Sequence, residues 1–71
     1  MDSHRIGSFR KELSTYGDDI STEVSGNNVI MTSGKNTNLR EIQKDLEATA
    51  AYYKMKMKRI DENIGEFVDI E

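Results

Sequence analysis

The sequence predicts an all-α protein, a two-helix antiparallel hairpin that completes a helical bundle by oligomerisation or by binding a partner. Apolar residues recur three or four positions apart near the N-terminus, which is typical of an amphipathic helix. A seven-residue apolar repeat runs through the second half, as in a coiled coil. The chain of 71 residues contains no proline that would interrupt a helix. We expect one domain over residues 1–71.

The first predicted helix spans about residues 3–24. Asp2 or Ser3 can cap its start, because a short side-chain oxygen accepts hydrogen bonds from the free amides of the first turn. Gly17 lies within the pattern and weakens its last turns by roughly 1 kcal/mol relative to alanine. One stripe along this helix carries the apolar residues Ile6, Phe9, Leu13, Tyr16, Ile20 and Val24.

The segment of about residues 25–38 is predicted to be the loop of the hairpin. It is rich in Gly, Asn and Ser, which favour turns. An apolar trio, Val29, Ile30 and Met31, lies between these turn formers. Two interpretations remain open: the trio closes the end of the hairpin, or it contacts a partner.

The second predicted helix spans about residues 39–68. Asn38 and Glu41 have the spacing of a capping box at its start. Residues such as Ile42 and Met55 lie beside the seven-residue repeat and widen its apolar stripe, which suits a helix with two neighbours. A two-helix hairpin supplies only one neighbour, so we expect a further helix from another chain. The repeat consists of Leu39, Leu46, Tyr53, Ile60 and Phe67, with Ala50, Met57 and Ile64 four residues after three of them.

The composition argues against catalysis and against a bound metal. The chain has no cysteine, and His4 is its one histidine, so neither a disulfide nor a thiolate zinc site can form. The carboxylates of Asp18 and Asp19 are adjacent, and on a helix such neighbours point in different directions. No glycine-rich phosphate loop is present. We expect no enzyme activity and no cofactor.

Charge and hydropathy limit the partners and the location. With 13 acidic and 10 basic residues, the formal net charge is −3, which argues against a general nucleic-acid binder. The basic cluster of Lys54, Lys56, Lys58 and Arg59 is followed at once by acidic residues, so we interpret it as a solvated face. No apolar run reaches the ~20 residues of a membrane span, and no signal-peptide core follows the N-terminus. We expect a cytoplasmic protein, with export without a cleaved signal peptide left open.

The predicted function is therefore protein–protein interaction, with a helical protein or with a second copy of the same chain. A small core without a disulfide or a metal usually needs a second chain for stability. Periodicity does not separate homomeric from heteromeric assembly. The predicted partner-binding residues are Phe9, Leu13, Tyr16, Ile20, Leu46, Tyr53, Met57, Ile60, Ile64 and Phe67.

The C-terminal segment 59–71 resembles the end of the second helix in small WXG100-like proteins, the helical accessory proteins encoded beside type VII secretion toxins. In that family an aromatic residue precedes an acidic one by four positions, and Phe67 and Glu71 have this spacing. The resemblance implies a helical hairpin that packs on a toxin's N-terminal helices and helps to direct the toxin to the secretion machinery. It also implies that Phe67 and Glu71 form a targeting signal.

Two alternatives stay open. Residues 26–29, followed by an amphipathic helix with paired tyrosines, are similar to the C-terminal part of flagellar or type III secretion rod subunits. This resemblance implies a self-assembling structural subunit. The other alternative is a homodimeric helical adaptor or inhibitor without a role in secretion.

Overall fold

The computed structural model describes residues 2–70 and shows an α+β fold, with two helices packed on one face of a four-stranded antiparallel sheet. The prediction of an all-α hairpin that completes a helical bundle is therefore wrong. No helix in this range is long and apolar enough to cross a membrane. In chain order, the elements are α1 (Ser3–Leu13), a 3₁₀ turn (Ser14–Tyr16), β1 (Ile20–Ser25), β2 (Asn28–Ser33), a second 3₁₀ turn (Leu39–Ile42), α2 (Gln43–Tyr52), β3 (Met55–Ile60) and β4 (Ile64–Asp69).

The predicted first helix is correct in its first half only. Asp2 caps α1 by accepting hydrogen bonds from the amides of His4 and Arg5, at 3.0 and 3.4 Å. Beyond Leu13 the chain continues as a 3₁₀ turn and then as β1, not as the helix predicted to residue 24. The four-residue step from Ile20 to Val24 misled the prediction, since both a helix and a strand place residues i and i+4 on the same side.

The predicted loop of residues 25–38 contains a central strand of the sheet. The hairpin turn between β1 and β2 consists of only Gly26 and Asn27. Gly26 has φ +59°, a conformation that glycine adopts without strain at the first central position of a type II′ turn. Val29 and Met31 are fully buried, so this apolar segment belongs to the core and does not close the end of a hairpin.

The predicted second helix of residues 39–68 divides into a 3₁₀ turn, one helix and two strands. Lys54, with φ +61°, separates α2 from β3. In β3 the sequence Met-Lys-Met-Lys alternates apolar and basic residues, which is the period of a half-buried strand. The seven-residue repeat is coincidental, because Ile60 and Phe67 lie in strands whereas Leu46 lies in a helix.

The order helix–strand–strand occurs twice along residues 2–70, and the sheet places the two halves side by side. The strands lie in the order β1-β2-β4-β3, so β2 and β4 pair at the centre of the sheet. The tyrosine after each helix contacts the helix of the other half. The Tyr16 hydroxyl lies 2.7 Å from Thr49 Oγ1, and the Tyr53 hydroxyl donates to Glu12 Oε1 at 3.3 Å. Each half therefore completes its packing with the other.

The core lies between the helices and one face of the sheet. The ring of Phe9 is at its centre, 5.2 Å from the ring of Phe67 in an edge-to-face arrangement and 5.6 Å from that of Tyr53. Arg5 also ties α1 to the sheet, donating to the Tyr53 carbonyl at 2.7 Å and to Asp69 Oδ2 at 2.9 Å. The buried residues are Ile6, Phe9, Leu13, Val29, Met31, Leu39, Leu46, Ala50, Met55 and Phe67.

Candidate interaction site

The two edge strands of the sheet differ in how open they are to another strand. β3 carries Lys56 and Lys58, and its pairing with β4 shifts between Met57 and Arg59. Lysines and bulges on an edge strand discourage pairing with another chain. β1 pairs with β2 without a shift along all six residues, and Glu23 is its one charged side chain. β1 is therefore the less protected of the two edges.

Alternate residues of β1 direct their backbone amide and carbonyl groups away from β2. In a hairpin with a two-residue turn, the flanking residues Ser25 and Asn28 form a hydrogen-bonded pair, and such pairs recur at every second residue. The hydrogen bond from the Gly34 amide to the Asp19 carbonyl, at 3.1 Å, fits the same alternation. The outward groups therefore belong to Ile20, Thr22 and Val24, which present the edge to an added strand.

A groove of about 280 Å³ separates this edge from α1. The side chain of Val24 is 44% exposed on one wall, and Ile6 is buried beneath it. A side-chain carbon placed on Gly7 would meet nothing within 4 Å, so the helix wall is open at this point. Ser3, Arg10 and Gly26 complete the lining. The groove has room for an apolar side chain of a strand added to β1.

Arg10 crosses from α1 to the middle of the edge. Its Nε donates to Thr22 Oγ1 and its Nη2 to the Thr22 carbonyl, both at 3.0 Å. These two bonds use two of the five N–H donors of the guanidinium. The Thr22 carbonyl has a second lone pair, so it can also accept from the amide of an added strand. A fixed positive charge therefore lies beside an outward-facing backbone carbonyl.

Asp19 holds the beginning of β1 in place. Its carboxylate accepts from Thr37 Oγ1 at 2.6 Å and from the Asn36 amide at 3.0 Å. The hydrogen bond from Thr37 is the main reason why the pKa of Asp19 lies below its usual value, and the amide of Asn36 contributes in the same direction. A carbon added to Gly34 would lie 2.8 Å from Asp19 Oδ2, so a larger residue here would displace the carboxylate.

Replacing Asp19 with Asn should lower the melting temperature at neutral pH. It should also make the melting temperature fall less steeply as the solution is acidified. A carboxylate with a lowered pKa stabilises the folded state above its unfolded pKa, and the contribution is lost as the pH falls below about 4 through the folded pKa. The measurement is thermal unfolding followed by circular dichroism, from neutral pH to below about pH 4. The exposed neighbour Asp18, changed to Asn, is the control. An equal effect of both substitutions would contradict the assigned role of Asp19.

The predicted partner-binding residues are mostly inside the chain. Phe9, Leu13, Leu46 and Phe67 have no exposed surface. Five others, Tyr16, Ile20, Tyr53, Met57 and Ile60, are partly buried and pack against this core. Ile64 is half-buried in β4. A role for any of them in binding a partner stays a prediction, and so does the targeting signal of Phe67 and Glu71, since Glu71 lies outside the described residues.

Sequence reasoning named Ile20 as a partner-binding residue but missed that it lies with Thr22 and Val24 on the edge of a sheet. Ile20, Thr22 and Val24 alternate with polar residues and precede Gly26-Asn27, which together indicate a strand that enters a hairpin. That pattern was available but was interpreted as the end of a helix. Arg10 gives no comparable signal, because its hydrogen bonds to Thr22 join residues that only the tertiary fold brings together.

Two other surfaces are weaker candidates. On the uncovered face of the sheet, Asn28 Nδ2 donates to Glu66 Oε2 at 2.6 Å, so these two side chains already bond to each other. Between the helix ends, a pocket is lined by Glu12, Ala48, Thr49, Tyr52 and Tyr53. Partial burial and the nearby charge of Glu12 raise the pKa of Tyr53 above its ordinary value.

The chemistry available at the β1 edge is that of binding. Its functional groups are backbone amides and carbonyls, an apolar groove and one guanidinium. Within residues 2–70 no group of three or more His, Asp or Glu side chains could share a metal ion. Comparison of the chain with known protein families, curated proteins and solved structures gives no significant match.

Proposed function

We propose that this chain is a protein-interaction module that binds an extended segment of a partner by adding it as a fifth strand beside β1. The observation that carries the proposal is the open edge of β1, with its outward backbone groups next to the groove beneath α1. Main-chain hydrogen bonds supply affinity in this mode of recognition, and alternate side chains of the added strand supply specificity. The type VII accessory and rod-subunit interpretations were based on long helices, which residues 2–70 do not form, and the functions that they imply stay predictions.

The test is selection from a displayed library of random peptides against the immobilised chain and two proline variants. Thr22→Pro removes an outward amide of β1 and leaves the pairing with β2, since proline is tolerated on an edge strand where the N–H faces outward. Lys58→Pro is the matched control, because Lys58 lies at the bulge of the other edge, where proline is also tolerated. We expect peptides selected on the native chain to lose binding to Thr22→Pro and to keep binding to Lys58→Pro.

Circular dichroism should first show that both variants keep the native fold, and hydrogen exchange gives an independent measurement of binding. In the free chain the amides of Thr22 and Val24 should exchange quickly and those of Ser21 and Glu23 slowly, since only the latter bond to β2. Bound peptide should protect Thr22 and Val24. Selected peptides that bind Thr22→Pro as well as the native chain, or that leave these two amides unprotected, would overturn the proposal.

A further inference from the structure

We infer that the β1 edge selects an extended peptide with a carboxylate side chain opposite Thr22 and an apolar side chain opposite Val24. This inference rests on the proposed strand addition at β1 and names the chemistry of the segment. In an antiparallel added strand the apolar residue precedes the acidic one by two positions. The preferred segment therefore reads apolar, any residue, then Asp or Glu.

The spacing follows from the alternation of the strand. Thr22 and Val24 are two residues apart, so their side chains lie on the same face of β1, towards α1. Val24 lines the groove together with Ile6 and Gly7, and Arg10 binds Thr22. In an added strand, the side chain opposite Val24 enters the groove. The side chain opposite Thr22, two residues away on the same face, lies beside the guanidinium of Arg10.

The charge at this position favours a carboxylate. Arg10 uses Nε and one N–H of Nη2 for Thr22, and in the described part of the chain its remaining N–H groups make no further hydrogen bond. Guanidinium and carboxylate form short, charge-assisted hydrogen bonds, often two in parallel. On the opposite face the exposed carboxylate of Glu23 favours a basic side chain between the apolar and the acidic residue.

A second copy of the chain fits this edge less well. Two β1 strands paired antiparallel about Thr22 would bring the Arg10 side chains of both copies to the same point. Paired about Glu23, they would place this carboxylate opposite Glu23 of the second copy. Like charges directly opposite each other destabilise strand pairing. In these two registers the charges of the edge therefore disfavour a second β1, whereas a foreign carboxylate opposite Thr22 would lie beside Arg10.

The experiment titrates the native chain with a fluorescently labelled, terminally blocked peptide, Thr-Ile-Lys-Glu-Thr-Val, and follows anisotropy. Two matched peptides carry Gln or Lys in place of Glu. We expect the Glu peptide to bind about tenfold more tightly than the Gln peptide, as for a partly exposed charge-assisted hydrogen bond. This preference should shrink as salt is raised. Arg10→Glu should reverse the order and prefer the Lys peptide.

The outcomes separate the inference from the proposed function. Equal binding of all three peptides, abolished by Thr22→Pro, would overturn the acidic preference and leave strand addition at β1 standing. Failure of every peptide to bind the native chain would overturn both. A dimer in sedimentation velocity that Thr22→Pro dissociates would show that a second copy occupies the edge, which also overturns the inference. The Glu-to-Gln comparison needs no protein variant, so it does not depend on the folding of Arg10→Glu.

Discussion

Met31→Asp should unfold the isolated chain, whereas Thr32→Asp should leave it folded. Met31 is fully buried in the central strand β2, between Thr22 of β1 and Gly65 of β4. An unpaired carboxylate there would cost more than about 3 kcal/mol, a large share of the stability of a small domain. Thr32 is adjacent but exposed on the other face, and its change should cost about 1 kcal/mol or less.

Urea unfolding followed by far-ultraviolet circular dichroism measures both effects. Comparing Met31→Asp with Thr32→Asp also distinguishes the α+β fold from a helical hairpin. In a helical hairpin both residues would lie in the connecting loop. A loop would tolerate either substitution to a similar degree. Similar midpoints for the two variants would therefore contradict the placement of residues 28–33 in the centre of the sheet.

Phe9→Ala should remove about 3–5 kcal/mol from the free energy of unfolding of the isolated chain. The Phe9 ring has no exposed surface and contacts the rings of both Phe67 and Tyr53, so its loss leaves a cavity at the centre of the core. Tyr52→Ala is the matched aromatic control. The Tyr52 side chain is 80% exposed, and its truncation should cost about 1 kcal/mol or less.

The measurement is urea unfolding at several protein concentrations. If Phe9 stabilises the monomer core, the loss should not depend on concentration. A small loss in the isolated chain, with a larger one only after self-association, would instead place Phe9 at an interface between chains. That result would support the partner-binding role predicted for this residue from the sequence.

Local signals in the sequence identified part of the fold correctly. The start of α1 follows from the Asp2 cap and from the helical spacing of Ile6, Phe9 and Leu13, all of which are contacts within a few residues. Asn38 also caps locally, since its Oδ1 accepts from the Arg40 amide at 3.0 Å. The strands were missed because their apolar residues also fit helical steps of three, four and seven, and because no proline marked a boundary.

The candidate site could not be derived from local patterns. β1 is an edge only because β2 pairs with β4 across a sequence separation of more than thirty residues. Arg10 belongs to the site only because α1 packs across the sheet and brings its guanidinium to Thr22. The spacing of apolar residues along the sequence indicates which residues of one helix or strand lie on the same face. It carries no information about which other element they meet.

The sequence by itself determined the composition of the interior and the absence of thiol chemistry. Burial of apolar surface stabilises any compact arrangement, so Phe9, Leu13, Leu46 and Phe67 were expected from the sequence to be buried against other helices, including those of a partner, and the structure places them in the core of the chain itself. Only the tertiary structure decided whether these side chains lie on helices or strands, and which surface stays open. Whether a segment forms a strand depends on pairing with a distant segment. Residues 55–60, for example, satisfy their backbone hydrogen bonds as a strand only because β4 lies beside them.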